Sequence, residues 1–125
     1  MSNYNMTVEA SSAKSATAAG TTQVNRDCSG ATFVIVTTAN SGTSPTLTVK
    51  VQGSADGTTW YDIPGATTAS ITTNTTTVLT VYPGVTVAAN AAVSQPIPRM
   101  FRVHWTIGGT GSPSWTFSVS AAMLQ

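Results

Sequence analysis

The chain has 125 residues, a formal net charge of +1 and only 7% charged residues, against about 25% in an ordinary soluble domain. Its 41% hydrophobic content supplies one core for one domain, and its few scattered basic residues form no stripe for phosphates, which argues against nucleic acid as a partner. Cys28 is the single cysteine, so no internal disulfide or cysteine-based zinc site is expected, and Cys28 reads as a small, partly buried hydrophobe.

The first twenty residues, MSNYNMTVEASSAKSATAAG, lack a basic segment followed by an apolar run, so no secretory signal is read there. No apolar stretch approaches the ~20 residues needed to cross a bilayer. The Ala/Ser-rich piece has no apolar stripe to bury as a helix. Residues 1 to 28 are therefore expected as an extended N-terminal arm, with one edge strand near Met6 to Ala10.

From residue 31 the pattern is β. ATFVIVTTA carries apolar groups on both faces, as in a strand packed on both sides. TLTVKVQG alternates, with Leu47, Val49 and Val51 on one face and Thr48, Lys50 and Gln52 on the other. TTWYDI is short, and TTVLTVYPG places Leu79 and Val81 together. RMFRVHWTIGG sets Phe101, Val103, Trp105 and Ile107 opposite Arg102, His104 and Thr106, and SWTFSVSAA sets Trp115, Phe117 and Val119 opposite hydroxyls. Pro and Gly punctuate the junctions.

Two segments echo each other, VTTANSGTSPTLTVKV and HWTIGGTGSPSWTFSV. Each is expected to form a β-hairpin, with Gly allowing the turn and Pro opening the second strand. Between them YPGVTVAANAAVSQPIPRM reads as irregular, a crossing from one sheet to another held extended by Pro96 and Pro98. The expected fold is a single all-β sandwich over residues 29–125, of jelly-roll or immunoglobulin-like type. Its core is expected from Phe33, Ile35, Leu47, Val49, Val51, Leu79, Val81, Phe101, Val103, Trp105, Phe117 and Val119, with Trp60 and Trp115 capping the ends.

Catalytic patterns are missing. His104 is the only histidine, and the four acids Glu9, Asp27, Asp56 and Asp62 show no pairing in sequence. There is no nucleophile elbow, phosphate loop or H-E-x-x-H, so no enzyme is expected and no cofactor. Asp56 and Asp62 offer too few oxygens for calcium, which takes six to eight. In VQGSADGTTWYDI, Trp60 and Tyr61 could stack on a sugar, and the words resemble a turn of discoidin-like, galactose-binding jelly rolls over some 13 residues. Asp-Gly is also a favoured hairpin turn, with Trp60 then folding back onto the core.

The ordered set SGTSPTLTVKVQGSADGTTWYDIPGA, YPGVTVAAN, VSQPIPR and IGGTGSPSWTFSV resembles small structural proteins of tailed bacteriophages, of the capsid decoration (cement) type. The resemblance runs from about residue 31 onward and leaves the N-terminal arm uncovered. It implies a non-catalytic protein on the capsid surface of a virion, assembled in the host cytoplasm and stabilising the head at capsomer junctions. The implied partners are the major capsid protein and two further copies in a homotrimer, with no direct nucleic acid and no membrane. Tyr4, Met6, Trp60, Tyr61, Ile97 and Arg99 are the candidate subunit or ligand contacts. A carbohydrate-binding or host-adhesion module of a tail, fibre or capsid surface is the alternative.

Overall fold

A computed structural model of the chain describes residues 3–125. Among them there is no helix, and eight strands follow in order: β1 (Tyr4–Lys14), β2 (Ala18–Ala19), β3 (Gln23–Val24), β4 (Gly30–Ser54), β5 (Trp60–Thr67), β6 (Thr76–Val81), β7 (Ala92–Val93) and β8 (Met100–Leu124). All belong to one mixed sheet, antiparallel except where β7 runs parallel to β6.

The frame is the pairing of β4 with β8, which runs from Gly30↔Leu124 to Ser54↔Met100 and is irregular only between Thr37 and Thr46. The two strands cannot be straight. Trp105 and Phe117 lie on the same strand, where twelve residues of extended chain would separate them by about 40 Å. Their rings instead meet edge to face at 5.5 Å. Phe33, paired with Ala121 and Leu79, likewise meets Phe101, paired with Gly53 and Gln23, at 6.0 Å. The β4/β8 ribbon therefore turns over near residues 40–46 and 108–114. One half of the sheet, β1–β8–β4–β6–β7, then faces the other, β5–β4–β8 with β2 and β3 at its edge.

The two echoing segments lie at this corner. They are not hairpins, as their turn residues suggested; each is the middle of a long strand, and the two pair with one another. Gly and Ser-Pro bend a strand as readily as they end one, because a bend also needs positive φ followed by a fixed φ. Ser44 and Ser112 share φ values of 48° and 56° ahead of Pro45 and Pro113. The correspondence continues outward. Phe33, Ile35, Leu47, Val49 and Val51 of β4 match Phe101, Val103, Trp115, Phe117 and Val119 of β8, all buried. The ribbon thus has an approximate two-fold axis at its corner.

All twelve residues expected in the core are buried, and Trp115 joins them with no exposed surface. Full burial of side chains of this size stabilises by about 1.5–3 kcal/mol each. The strand expected to be packed on both sides is packed on one. Val34 and Val36 are half-buried, and Val78 on neighbouring β6 is 48% exposed.

The described part of the N-terminal segment is extended, as expected, but it does not stand away from the body. β1, β2 and β3 all pair with β8 and follow its outer edge around the corner. Val8 is buried, and Tyr4 and Met6 pack against the core. A charge is buried there too. Lys14, with a side chain only 9% exposed, lies 3.3 Å from Glu9 and over the rings of Phe117 (4.5 Å) and Trp105 (5.2 Å). The boundary expected at residue 28 is therefore crossed by ladder hydrogen bonds and by the core. Residues 82–99 carry the chain from β6 in one half to the start of β8 in the other.

Candidate functional site

Strand alternation and register together build one polar cluster. Because Val49, Val51, Phe101 and Val103 face the core, Lys50, Gln52, Arg102 and His104 face out. The register sets Gln52 beside Arg102 and Lys50 beside His104. On the other side of β4, β5 brings Asp62 opposite Gln52 and Trp60 opposite Ser54.

The side chains form a continuous chain of contacts. Lys50 Nζ donates to Asp62 Oδ2 at 3.0 Å, and Gln52 Nε2 donates to Asp62 Oδ1 at 2.9 Å. Gln52 Oε1 accepts from Arg102 Nε at 2.8 Å, and the Arg102 guanidinium lies 4.3 Å from the Trp60 ring centroid. The Gln52 and Lys50 hydrogen bonds hold the Asp62 carboxyl below its usual range. Burial, then the nearby Lys50 and Arg102 charges, lower the pKa of His104, outweighing the opposing pull of Asp62. His104 Nδ1 is buried without a protein hydrogen-bond partner.

The loop between β4 and β5 is closed by its own side chains. Asp56 Oδ1 accepts the backbone N–H groups of Thr59 (2.7 Å) and Thr58 (2.9 Å), and the Ser54 hydroxyl donates to it at 3.1 Å. The two backbone bonds pull the Asp56 carboxyl well below the ordinary carboxylate range. With Asp56 satisfied inside the turn and Asp62 by Lys50 and Gln52, the two carboxylates serve separate structural tasks. No group of three or more His, Cys, Asp or Glu lies together among the described residues.

The six residues expected as contacts fall into distinct settings. Trp60 does not fold onto the core: the loop returns it on the outer face, half-buried under Arg102. Tyr61 points the other way, is 49% exposed, and covers Gly53, where a Cβ would come within 2.9 Å of its ring. The two aromatics therefore form no common platform. Ile97 is not a surface contact either: it is buried, and its carbonyl accepts the Asn25 side chain at 3.1 Å. Asn25 also bonds Cys28 and, through its backbone N–H, the carbonyl of Arg99. Arg99 itself is exposed. Nearby, the Tyr4 hydroxyl accepts the Arg26 N–H at 2.9 Å. Met6 lines an open groove of about 440 Å³ on the opposite half, with Asn5, Thr7, Val34, Ser120 and Ala122.

Sequence reasoning placed Arg102 on a polar face but gave it no role. The signal that singles it out is the cross-strand register, which joins residues 52, 60, 62 and 102. Comparison with protein-family models and with curated proteins gives no match to this chain.

Proposed function

We propose that the chain is a non-enzymatic structural protein of a phage virion, a capsid decoration protein that seats at capsomer junctions on the major capsid protein as a homotrimer. The family resemblance of residues 31 onward motivates this reading. The observation that carries it is the outer face of the β1–β8–β4–β6 half. Among the described residues, Thr32, Val34, Val36, Val78, Ser118 and Ser120 form a charge-free surface there, with Val78 48% exposed. A face without ions can be buried against another protein without stranding charges. Repetition over many copies multiplies a modest gain per contact. The folded-over sheet is, on the same reading, a β-sandwich of jelly-roll or immunoglobulin-like type.

The test is add-back of the purified protein to shells that lack it. Saturable binding in hundreds of copies, weakened by Val78→Glu in a protein that still folds, is the expected result. No binding of the wild type overturns the reading. On a glycan array, a flat response from wild type and Trp60→Ala alike is expected. Sugar binding that Trp60→Ala abolishes favours the adhesion module instead.

A further inference from the structure

The chain Lys50–Asp62–Gln52–Arg102–Trp60 has an open end. Asp62 accepts from two donors, and both ends of the Gln52 amide are engaged. Arg102 is left incomplete. Its Nε is committed to Gln52 and its plane rests near Trp60, but its terminal NH2 groups have no acceptor and no carboxylate partner among the described residues. Gln52, only 9% exposed, is the buried member that fixes the guanidinium from behind. An arginine held by stacking and by one hydrogen bond has already lost much of its rotamer freedom, so its remaining fork binds a planar anion at reduced entropic cost.

We propose that Arg102 is the anchor of a docking site for an acidic side chain, Asp or Glu, of a partner protein. It sits on the outer face of the half of the sheet formed by β5, β4, β8 and β3. The Asp62 carboxylate already accepts from Lys50 and Gln52, and the Gln52 oxygen from Arg102, so the free fork of Arg102 is the cationic group left to be matched. A sugar stacks on an open aromatic face, and one face of Trp60 is covered by Arg102. A nucleic acid needs a row of cations, but Lys50 is bound to Asp62. The margin is apolar: Val24, 45% exposed, is paired with Met100, two positions from Arg102 on the same face. A charged anchor ringed by apolar and aromatic groups suits the mixed surface of a protein. The identity of that partner rests on the capsid reading above; the chemistry of the site does not.

The experiment is an NMR titration of the labelled protein, following Arg102 Nε–H and the Trp60 indole N–H. The probes are a capped hexaglutamate peptide, a capped hexaglutamine peptide, glucose and inorganic phosphate. Both resonances move with hexaglutamate and with neither hexaglutamine nor glucose, and the movement shrinks as salt is added. Arg102→Gln abolishes the response. Arg102→Lys, which keeps the charge but loses the fork, abolishes most of it, and dispersed spectra establish that both variants fold. A response that survives in Arg102→Gln, or one stronger with glucose or phosphate than with hexaglutamate, overturns the proposal. On shells, Arg102→Gln weakens binding by about tenfold or more. Wild type that responds to hexaglutamate but fails to bind shells overturns the capsid reading alone. Wild type and Arg102→Gln that bind shells equally overturn the site alone.

Discussion

Trp105 and Trp115 occupy the same core but differ at one atom. Trp105 Nε1 donates to the Ala16 carbonyl at 3.0 Å, whereas Trp115 Nε1 is buried with no protein acceptor. An unsatisfied buried donor costs about 1–3 kcal/mol, so replacing Trp115 by Phe removes a penalty along with the packing it loses. Trp105→Phe loses a hydrogen bond and the ring beneath Lys14 besides. Trp105→Phe is expected to cost at least about 1 kcal/mol more than Trp115→Phe in urea unfolding. His104 gives a second expectation at this scale. Its pKa is lowered in the fold, mainly by burial, so the unfolded chain takes up its proton first as pH falls. Stability is complete above the ordinary value of 6.5 and declines as pH falls through it toward the folded value. As His104 is the only histidine, His104→Gln is expected to flatten the stability profile between about pH 7 and 5. Neither effect was legible in the sequence. Alternation placed all three residues on the correct faces, but hydrogen-bond satisfaction depends on what lies opposite.

Among the elements, β1 is held by an unusual contact for so polar a strand. Glu9→Gln leaves the Lys14 ammonium without its carboxylate against two aromatic rings, and is expected to cost about 2–3 kcal/mol. The double change Glu9→Gln with Lys14→Met removes the stranded charge as well, and its thermal midpoint is expected to return toward wild type. The corner offers a sharper case. At Gly109, φ is 115° and an added Cβ would come within 3.0 Å of backbone atoms of Thr43, Ser44 and Pro45. Gly42, φ 105°, meets Pro113 reciprocally. Gly109→Ala is expected to cost about 2 kcal/mol or more in urea, since both φ and the neighbouring backbone oppose it. The corner shows why the sequence was legible in one respect and misleading in another. The alternation of β4 and β8 located the buried faces of both halves. Gly and Ser-Pro mark a change of direction without saying whether the chain reverses in a hairpin or folds over with its partner alongside. The Ala/Ser-rich β1 read as an arm because Val8 is its only fully buried apolar side chain; its stability comes from the ladder on β8. Trp60 was misassigned because the parity of a strand after a five-residue loop depends on the turn's shape, here set by Asp56.

At the scale of the molecule, the two outer faces are chemically distinct, one free of charge among the described residues and one carrying Arg102, Lys50, Asp62 and His104. The approximate two-fold of the ribbon applies to the core and not to the surface, so the two faces are free to meet different partners. The same topology governs when the fold can form. β1, β2 and β3 have β8 as their one pairing partner, and β4 has it along its whole length. At a synthesis rate of about 5–20 residues per second, roughly 6–24 s separate Tyr4 from its partner Met123. Until β8 is made the first strands have no ladder to join, and Phe33 and Ile35 face only the part of their opposite wall that β4 and β5 supply. The fold is therefore expected to appear late and all at once, and slowly in refolding, because its pairings are non-local. A chain ending before residue 100 is expected to give a collapsed spectrum and rapid proteolysis along its length, with no stable N-terminal fragment. The final strand acts as the release signal for everything made before it.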